Sequence, residues 1–256
     1  MKWWVEQYFD RIGPMASPQR IGELCGDVTS WGRGDDEKGM NLCQTDSQSK
    51  TCSDEKHYCQ RRLKTDLARY AASPHGPNCL VLSLGSNNQW SFERLATELT
   101  SCDIHTFDCT GSWSVPKSLK GRVMLHKLCM GLPKQVARRP DMFANYTGLL
   151  MRVGGRKPLF MKVDIEGFEY QLLRYLINGT NNGVAKTSLP AQLAIEMHRG
   201  ITAPKFNYWI PGDVEFSQLM ALMRSRYEVV HQRDNGAKAR ELLLVEVGWF
   251  YSSWQK

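Results

Sequence analysis

The sequence lacks any run of about 18 apolar residues, the length that a membrane-spanning helix needs. It also has no Cys-x-x-Cys pair, which argues against a zinc ribbon or a thioredoxin-type motif. Its first residues, MKWWVEQYFD, show no signal-peptide hydrophobic region. No internal repeat or low-complexity tract is present. With 42% hydrophobic and 23% charged residues, the 256-residue chain is typical of a globular protein with a sizeable core.

Basic residues are in modest excess, but they are scattered along the chain. A net charge of +7 would favour an anionic partner such as nucleic acid, an anionic glycan or a membrane surface. The densest basic patches, residues 60–64 and 138–139, are not interleaved with aromatic residues as nucleic-acid-binding segments are. We therefore interpret these patches as solvated surface and do not favour a nucleic-acid partner.

Eight cysteines carry more information than the charge. An even number, concentrated in a loop-rich segment, suggests disulfides and an oxidising compartment. Two sequons, at residues 145–147 and 178–180, fit a secreted or luminal protein. We expect the lumen of the secretory pathway, such as the Golgi, or secretion, and a cytoplasmic protein with reduced thiols is the alternative. Sequence alone does not choose among the pairings of the first four cysteines, Cys25, Cys43, Cys52 and Cys59.

Two regions differ in their hydrophobic pattern. Residues 1–56 have little periodicity and are rich in Gly, Asp, Ser and Cys, which indicates an irregular Cys-rich extension. We assign residues 57–256 to the main domain, where a first helix is predicted over 57–72 and short apolar strands then alternate with amphipathic helices. Strands are predicted at 79–86, 103–108, 122–129, 159–163, 192–197, 227–232 and 241–249, and helices over 91–99, 168–176 and 216–223.

This alternation predicts an α/β fold with a mostly parallel sheet and helices on both faces. The last two strands have no helix between them, so one strand at that end of the sheet is expected to be antiparallel. At 256 residues, the chain is long enough for a single large α/β domain preceded by the extension.

Polar residues mark the ends of two apolar strands. Asp164 and Glu166 follow the run at 159–163, and Glu196 and His198 end the next strand. Ligands bind beyond the carboxyl ends of such strands, although Asp164 and Glu166 could simply cap and begin a helix. The four side chains could deprotonate a hydroxyl, with His198 as a base oriented by a carboxylate, or hold a divalent cation. We favour direct base catalysis without a metal, because no metal-specific motif is present.

Four stretches, VLSLGSNNQWSFE, HTFDCT, MKVDIEGFE and LAIEMH, together resemble the FkbM-like class I S-adenosylmethionine-dependent methyltransferases. They are most similar to the methyltransferase-like branch of animals and algae, and the resemblance covers about residues 78–250. It implies a Rossmann-like, mostly parallel seven-stranded sheet with one antiparallel strand. It also implies S-adenosylmethionine as cofactor and S-adenosylhomocysteine as product. The first loop departs from many class I enzymes, because it has one glycine, and Ser83 stands where an acid is common.

The resemblance implies roles for residues at the strand ends. Gly85 would let the backbone approach the methionine part of the cofactor, since glycine has no Cβ. Asp108 would accept hydrogen bonds from the ribose hydroxyls, and Asp164 would border the methyl-transfer site. The remaining cofactor-binding candidates belong to the first loop and to the end of the third strand: Ser86, Asn87, Asn88, Cys129 and Met130.

The implied sheet order also places the second and third strands side by side. Cys109 and Cys129 fall at the carboxyl ends of these strands, so we expect them to form a disulfide, and two buried free thiols are the alternative. Trp113, Tyr208 and Trp209 follow strand ends and are candidates for an acceptor platform, because aromatic faces stack on sugar rings. Simple packing is the alternative for these three side chains.

The combined prediction is an O-methyltransferase that acts on a carbohydrate hydroxyl. A methyltransferase with a small molecule, a protein or a nucleic acid as acceptor is one alternative. The other is a catalytically silent relative that serves as a binding module, which the single-glycine loop would favour.

Overall fold

The computed structural model describes residues 14–31, 56–72, 79–178, 189–198, 213–235 and 239–247. The strands are β1 (Val28–Trp31), β2 (Lys56–Cys59), β3 (Leu80–Leu84), β4 (Asp103–Phe107), β5 (Val123–His126), β6 (Cys129–Met130), β7 (Phe143–Ala144), β8 (Pro158–Val163), β9 (Gln192–His198), β10 (Tyr227–Asn235) and β11 (Ala239–Glu246). The α-helices are α1 (Pro18–Cys25), α2 (Gln60–Ala71), α3 (Ser91–Leu99), α4 (Pro133–Arg138), α5 (Tyr146–Arg152), α6 (Glu169–Asn178) and α7 (Asp213–Arg224).

A seven-stranded sheet organises the described part of the chain, in the order β10-β11-β9-β8-β3-β4-β5. The pairs among β9, β8, β3, β4 and β5 are parallel, whereas β11 is antiparallel to both of its neighbours. The predicted Rossmann-like sheet with one antiparallel strand is therefore confirmed. Because β3 lies between β8 and β4, its carboxyl end is flanked by the carboxyl ends of those two strands.

The sheet is covered on both faces, because successive side chains of β3, β8 and β9 point to opposite faces and all of them are buried. Leu80, Leu82 and Leu84 of β3 pack into one hydrophobic cluster, with side chains of α5, α6 and α7. Val81 points the other way, into a second cluster with side chains of α1, α2 and α3. Each face is thus a separate core, and the strand ends between the helix layers are left to form a site.

The segment before β3 differs from the sequence-based expectation. Residues 57–59 belong to β2, which pairs antiparallel with β1, and the helix predicted from residue 57 begins at Gln60. The extension is therefore not wholly irregular, because α1, β1 and the start of β2 lie within residues 1–56. The predicted third strand is also shorter, since residues 129–130 leave the main sheet to pair with β7.

Three disulfides join elements of the described chain. Cys109 and Cys129 are bonded with their Cα atoms 5.2 Å apart, which confirms the predicted pair. Cys79 pairs with Cys102, and Cys25 pairs with Cys59. Cys43 and Cys52 lie outside the described residues. No helix within the described residues is long and apolar enough to cross a membrane.

Candidate active site

A cavity of about 400 Å³ opens at the carboxyl ends of β3, β4, β8 and β9. This is the edge of a parallel sheet where ligands are expected, and the volume is in the range of small-molecule sites. Most of the residues singled out from the sequence line it: Gly85, Ser86, Asn87, Asp108, Cys129, Met130, Asp164, Glu166, Glu196 and His198.

Gly85 lets the ends of β3 and β8 meet. Its φ is +82°, and a Cβ atom there would lie 1.8 Å from the backbone oxygen of Asp164. A side chain at this position would therefore overlap the backbone of the neighbouring strand. Lys162 reinforces the contact, because its Nζ donates a hydrogen bond of 2.8 Å to the Gly85 carbonyl.

Asp108 ties the loop after β3 to the end of β4. Its Oδ2 accepts hydrogen bonds from the backbone N–H groups of Ser86 and Asn87, at 2.9 and 2.7 Å. Its Oδ1 accepts from the backbone N–H and the hydroxyl of Thr110, at 2.8 and 2.6 Å. Burial opposes ionisation, but these hydrogen bonds outweigh it and hold the pKa of Asp108 below its ordinary value. The carboxylate thus shapes the loop, and its expected contact with a ribose stays a prediction.

The four catalytic candidates come together in the cavity where β8 and β9 end. His198 Nε2 lies 3.8 Å from Asp164 Oδ1, 3.7 Å from Glu166 Oε2 and 3.7 Å from Glu196 Oε1. Glu166 reaches this position from a left-handed backbone conformation, with φ at +54°. The sequence-based expectation of one converging cluster is therefore met in space, whereas its chemical role stays a prediction.

Glu169 is a further functional candidate that the sequence reasoning missed. It is fully buried, and its carboxylate accepts hydrogen bonds from the backbone N–H groups of Ile165 and Gly167. Its Oε1 also lies 2.9 Å from His198 Nδ1. Glu169 therefore fixes both the turn after β8 and the orientation of the imidazole. An acid in the first turn of the helix was the only available signal, and first-turn acids are common.

Lys56 is the second candidate that sequence reasoning missed. Its side chain has no exposed surface, although it belongs to β2 in the segment before the main sheet. Its Nζ lies 3.2 Å from Glu196 Oε2, within contact of Glu241, and 3.9 Å from Asp164 Oδ2. The ammonium group thus neutralises part of the negative charge at the ends of β8, β9 and β11.

The charges in this cluster determine the protonation of His198. Burial lowers the pKa of His198, but the hydrogen bond to Glu169 and the nearby carboxylates outweigh this and raise it to about 9. Burial also raises the pKa of Glu241 to about 8. Without a ligand at Nε2, this raised pKa favours the cationic imidazolium form of His198 at neutral pH. A protonated imidazole cannot accept another proton, which opposes the expected use of His198 as the direct base.

Some predicted site residues lie elsewhere. Asn88 is not among the described residues that line the cavity, and its Oδ1 accepts a hydrogen bond of 3.1 Å from Trp90 Nε1. Trp113 packs partly against the second hydrophobic cluster, so among the described residues it is not part of the cavity wall. Tyr208 and Trp209 lie outside the described residues, and their role stays a prediction.

The Cys109–Cys129 disulfide forms part of the cavity wall, whereas Cys79–Cys102 joins the opposite ends of β3 and β4. Closing loops of this size stabilises a fold by about 3 kcal/mol. We expect a Cys79→Ser/Cys102→Ser variant to lose about that much stability with unchanged cofactor affinity. A Cys109→Ser/Cys129→Ser variant should lose similar stability and bind S-adenosylmethionine about tenfold more weakly by calorimetry. Equal affinities in the two variants would contradict a role for this disulfide in the cofactor site.

Comparison with solved structures finds similar folds at low identity. A candidate hemolysin from Streptococcus thermophilus is 12% identical, with a TM-score of 0.40 over 73% of this chain and 65% of that protein. The Burkholderia thailandensis 1,6-didemethyltoxoflavin-N1-methyltransferase is 9% identical, with a TM-score of 0.39 over 73% and 78%. Fibrillarin of Methanococcus jannaschii, a pre-rRNA processing protein, is 11% identical, with a TM-score of 0.36 over 82% and 85%. Comparison with curated proteins finds no match.

A family model described as a methyltransferase domain matches residues 40–209, which is more than half of the chain. The chain therefore belongs to this methyltransferase domain family, whose methyl donor is S-adenosylmethionine.

The cavity fits this donor in the chemistry of its walls. Phe107, Met130 and Phe143 provide apolar surface near the ends of β4 and β6, which suits an adenine ring. The polar loop at Gly85 follows β3, between β4 and β8, and the carboxylates lie at the ends of β8 and β9. A sulfonium cation placed between them would meet negative charge.

Proposed function

We propose that the chain is an FkbM-like O-methyltransferase whose acceptor is a carbohydrate hydroxyl, working in the secretory pathway. The observation that carries this proposal is the cluster of Asp164, Glu166, Glu196 and His198 at one end of the cofactor cavity. Methylation of a hydroxyl group requires such a cluster to remove a proton, because an alcohol must lose its proton as it gains the methyl group.

Some residues of the cavity would bind the methyl donor, and others would help to remove the proton of the acceptor hydroxyl. When bound, S-adenosylmethionine supplies a methyl group that the sulfonium charge already makes electrophilic. The loop from Gly85 to Asn87, held by Asp108, positions the donor. Glu169 holds His198, and Asp164 and Glu196 face the place where an acceptor oxygen would lie within contact distance of the methyl group.

Negative charge at the cavity favours a neutral, hydroxyl-rich acceptor over nucleic acid. Asp164, Glu166 and Glu196 would repel a phosphate backbone, although they can accept hydrogen bonds from sugar hydroxyls. Among the described residues that line the cavity, Lys162 is the one Lys or Arg, so this part of the site offers little positive charge to a phosphate backbone. The three disulfides of the described chain are consistent with an oxidising compartment.

The test is methyl transfer from isotopically labelled S-adenosylmethionine to a panel of glycans, small alcohols, proteins and RNA, using the oxidised full chain. We expect label in a glycan fraction, in a linkage that survives mild alkali as an ether does and an ester does not. Label in RNA alone would overturn the carbohydrate assignment. Cofactor binding without transfer to any acceptor class would favour a binding module.

A further inference from the structure

Three donor atoms at the ends of β8 and β9 are spaced as metal ligands are. One atom each from Asp164, Glu166 and His198 lies within 4.8 Å of the other two. Two ligands bonded to a cation at about 2.1 Å lie about 3.0 Å apart when adjacent and about 4.2 Å apart when opposite. The separations of 3.8 and 3.7 Å from His198 Nε2 to the Asp164 and Glu166 oxygens fall between these limits.

His198 is prepared for a ligand at Nε2. The residue is only 5% exposed, and its Nδ1 is held at 2.9 Å by the buried carboxylate of Glu169. Within the described residues Nε2 forms no hydrogen bond, and carboxylate oxygens of Asp164, Glu166 and Glu196 lie 3.7 to 3.8 Å from it. His198 lines the cavity. A carboxylate that fixes the remote nitrogen of a histidine is the usual support of a metal-binding imidazole.

The carboxylates near His198 Nε2 outnumber the cationic side chains described there. Lys56 is engaged with Glu196 and Glu241, and it approaches Asp164 through Oδ2. The other oxygen of Asp164, Oδ1, is the one that faces His198. The Glu166 side chain is 63% exposed, so the cluster is open to solvent and to an acceptor on that side. An ion could therefore enter and keep coordination positions for further ligands.

We propose that Asp164, Glu166 and His198 bind a divalent cation of the Mg²⁺ and Mn²⁺ class, which also coordinates the acceptor hydroxyl. This inference rests on the proposed O-methyltransferase function. Two carboxylate oxygens and one imidazole nitrogen, without a thiolate, suit these hard or borderline ions. Glu196 Oε1 would lie near such an ion, since it is 3.7 Å from His198 Nε2, and Glu196 Oε2 is 3.2 Å from Lys56 Nζ.

The cation would activate the acceptor hydroxyl. A hydroxyl bound to the cation would have a lower pKa, so its proton could pass to water on the exposed side of the cluster. The acceptor oxygen forms its bond to the methyl carbon while the sulfur–methyl bond breaks, and the electron pair of that bond stays on sulfur. The products are a methyl ether, S-adenosylhomocysteine and one proton.

The test is Mn²⁺ binding to the oxidised, metal-stripped full chain, measured by electron paramagnetic resonance and calorimetry without cofactor or acceptor. We expect one Mn²⁺ per chain, and at least tenfold weaker binding in Glu166→Gln and in His198→Asn. Glu98→Gln is the matched control, because it makes the same change at an exposed position of α3. Absence of stoichiometric binding in folded protein, or equal affinities in Glu166→Gln and Glu98→Gln, overturns the site.

Two further measurements separate this inference from the proposed function. Calorimetry should show S-adenosylmethionine binding both with and without a chelator, whereas methyl transfer should fall at least tenfold with the chelator and return with Mg²⁺ or Mn²⁺. Transfer that persists in the chelator overturns the role of the cation and leaves the proposed function standing. Mn²⁺ binding that depends on Glu166, in a protein that transfers no methyl group, supports the site and counts against the proposed function.

Discussion

Replacing Gly85 with alanine is expected to remove about 3–5 kcal/mol of stability and to abolish cofactor binding. The added Cβ would lie 1.8 Å from the backbone oxygen of Asp164, and the φ of +82° is unfavourable for any residue with a Cβ. Movement of a side chain cannot relieve the clash, because the clashing atom belongs to the backbone, and it cannot change the unfavourable φ of residue 85. Thermal unfolding should show a decrease in Tm of about 10 °C or more.

Gly154→Ala is the matched control for this variant. Gly154 has nearly the same φ, +80°, but a Cβ there meets nothing within 4 Å. It should therefore lose only the conformational contribution, about 1–2 kcal/mol, and bind S-adenosylmethionine normally. Similar decreases in Tm for the two variants would show that the contact between Gly85 and β8 is unimportant.

Replacing Asp108 with alanine is expected to weaken S-adenosylmethionine binding about hundredfold. The backbone N–H groups of Ser86 and Asn87 would lose their acceptor, and each unsatisfied group costs about 1–3 kcal/mol. The loop would then have to rearrange before the cofactor could bind. Calorimetric titration with S-adenosylmethionine and S-adenosylhomocysteine measures the change.

Asp103→Ala provides the comparison for Asp108, because it makes the same change at the opposite end of β4. Asp103 is exposed, and its carboxylate pairs with Arg156 at 2.6 Å. It begins β4, whereas the cavity lies at the carboxyl end of that strand. Exposed pairs contribute about 0–1 kcal/mol, so its cofactor affinity should match that of the unmodified protein. An Asp108→Ala protein that binds within threefold of the unmodified chain would contradict the loop-holding role.

The sheet could be predicted because its signals are local. The helix expected over 91–99 is found at Ser91–Leu99, and the strand expected over 103–108 is found at Asp103–Phe107. The antiparallel β11 followed from the absence of a helix between the last two strands. The spacing of hydrophobic residues indicates which face of a helix or strand is buried, so these elements can be predicted without knowledge of distant contacts.

The candidate site could be predicted only in part, because local sequence signals mark only some of its residues. Asp164 and Glu196 were identifiable because each stands at the end of an apolar run. Lys56 was not, since the four-residue strand KHYC has no apolar run and its burial depends on Glu196 and Glu241, 140 and 185 residues away. A buried lysine has no sequence signature of its own, because it is buried only where distant carboxylates compensate its charge.

Glu169 illustrates a second limit. A glutamate at the start of a helix is common on any exposed surface, and only the fold shows that this one is enclosed between the turn after β8 and His198. The protonation state of His198 follows from the same enclosure. Patterns of residue type can therefore suggest which groups meet, whereas their charge states depend on burial.

The position of Lys56 sets the smallest piece of this chain that could be exchanged between relatives. A fragment that begins at β3 would carry all seven strands of the main sheet, yet Glu196 and Glu241 would face each other without their shared ammonium group. Recombination or domain grafting at that boundary would therefore transfer the fold without its charge balance. The strand pair β1–β2 and the sheet should be inherited, and engineered, as one unit.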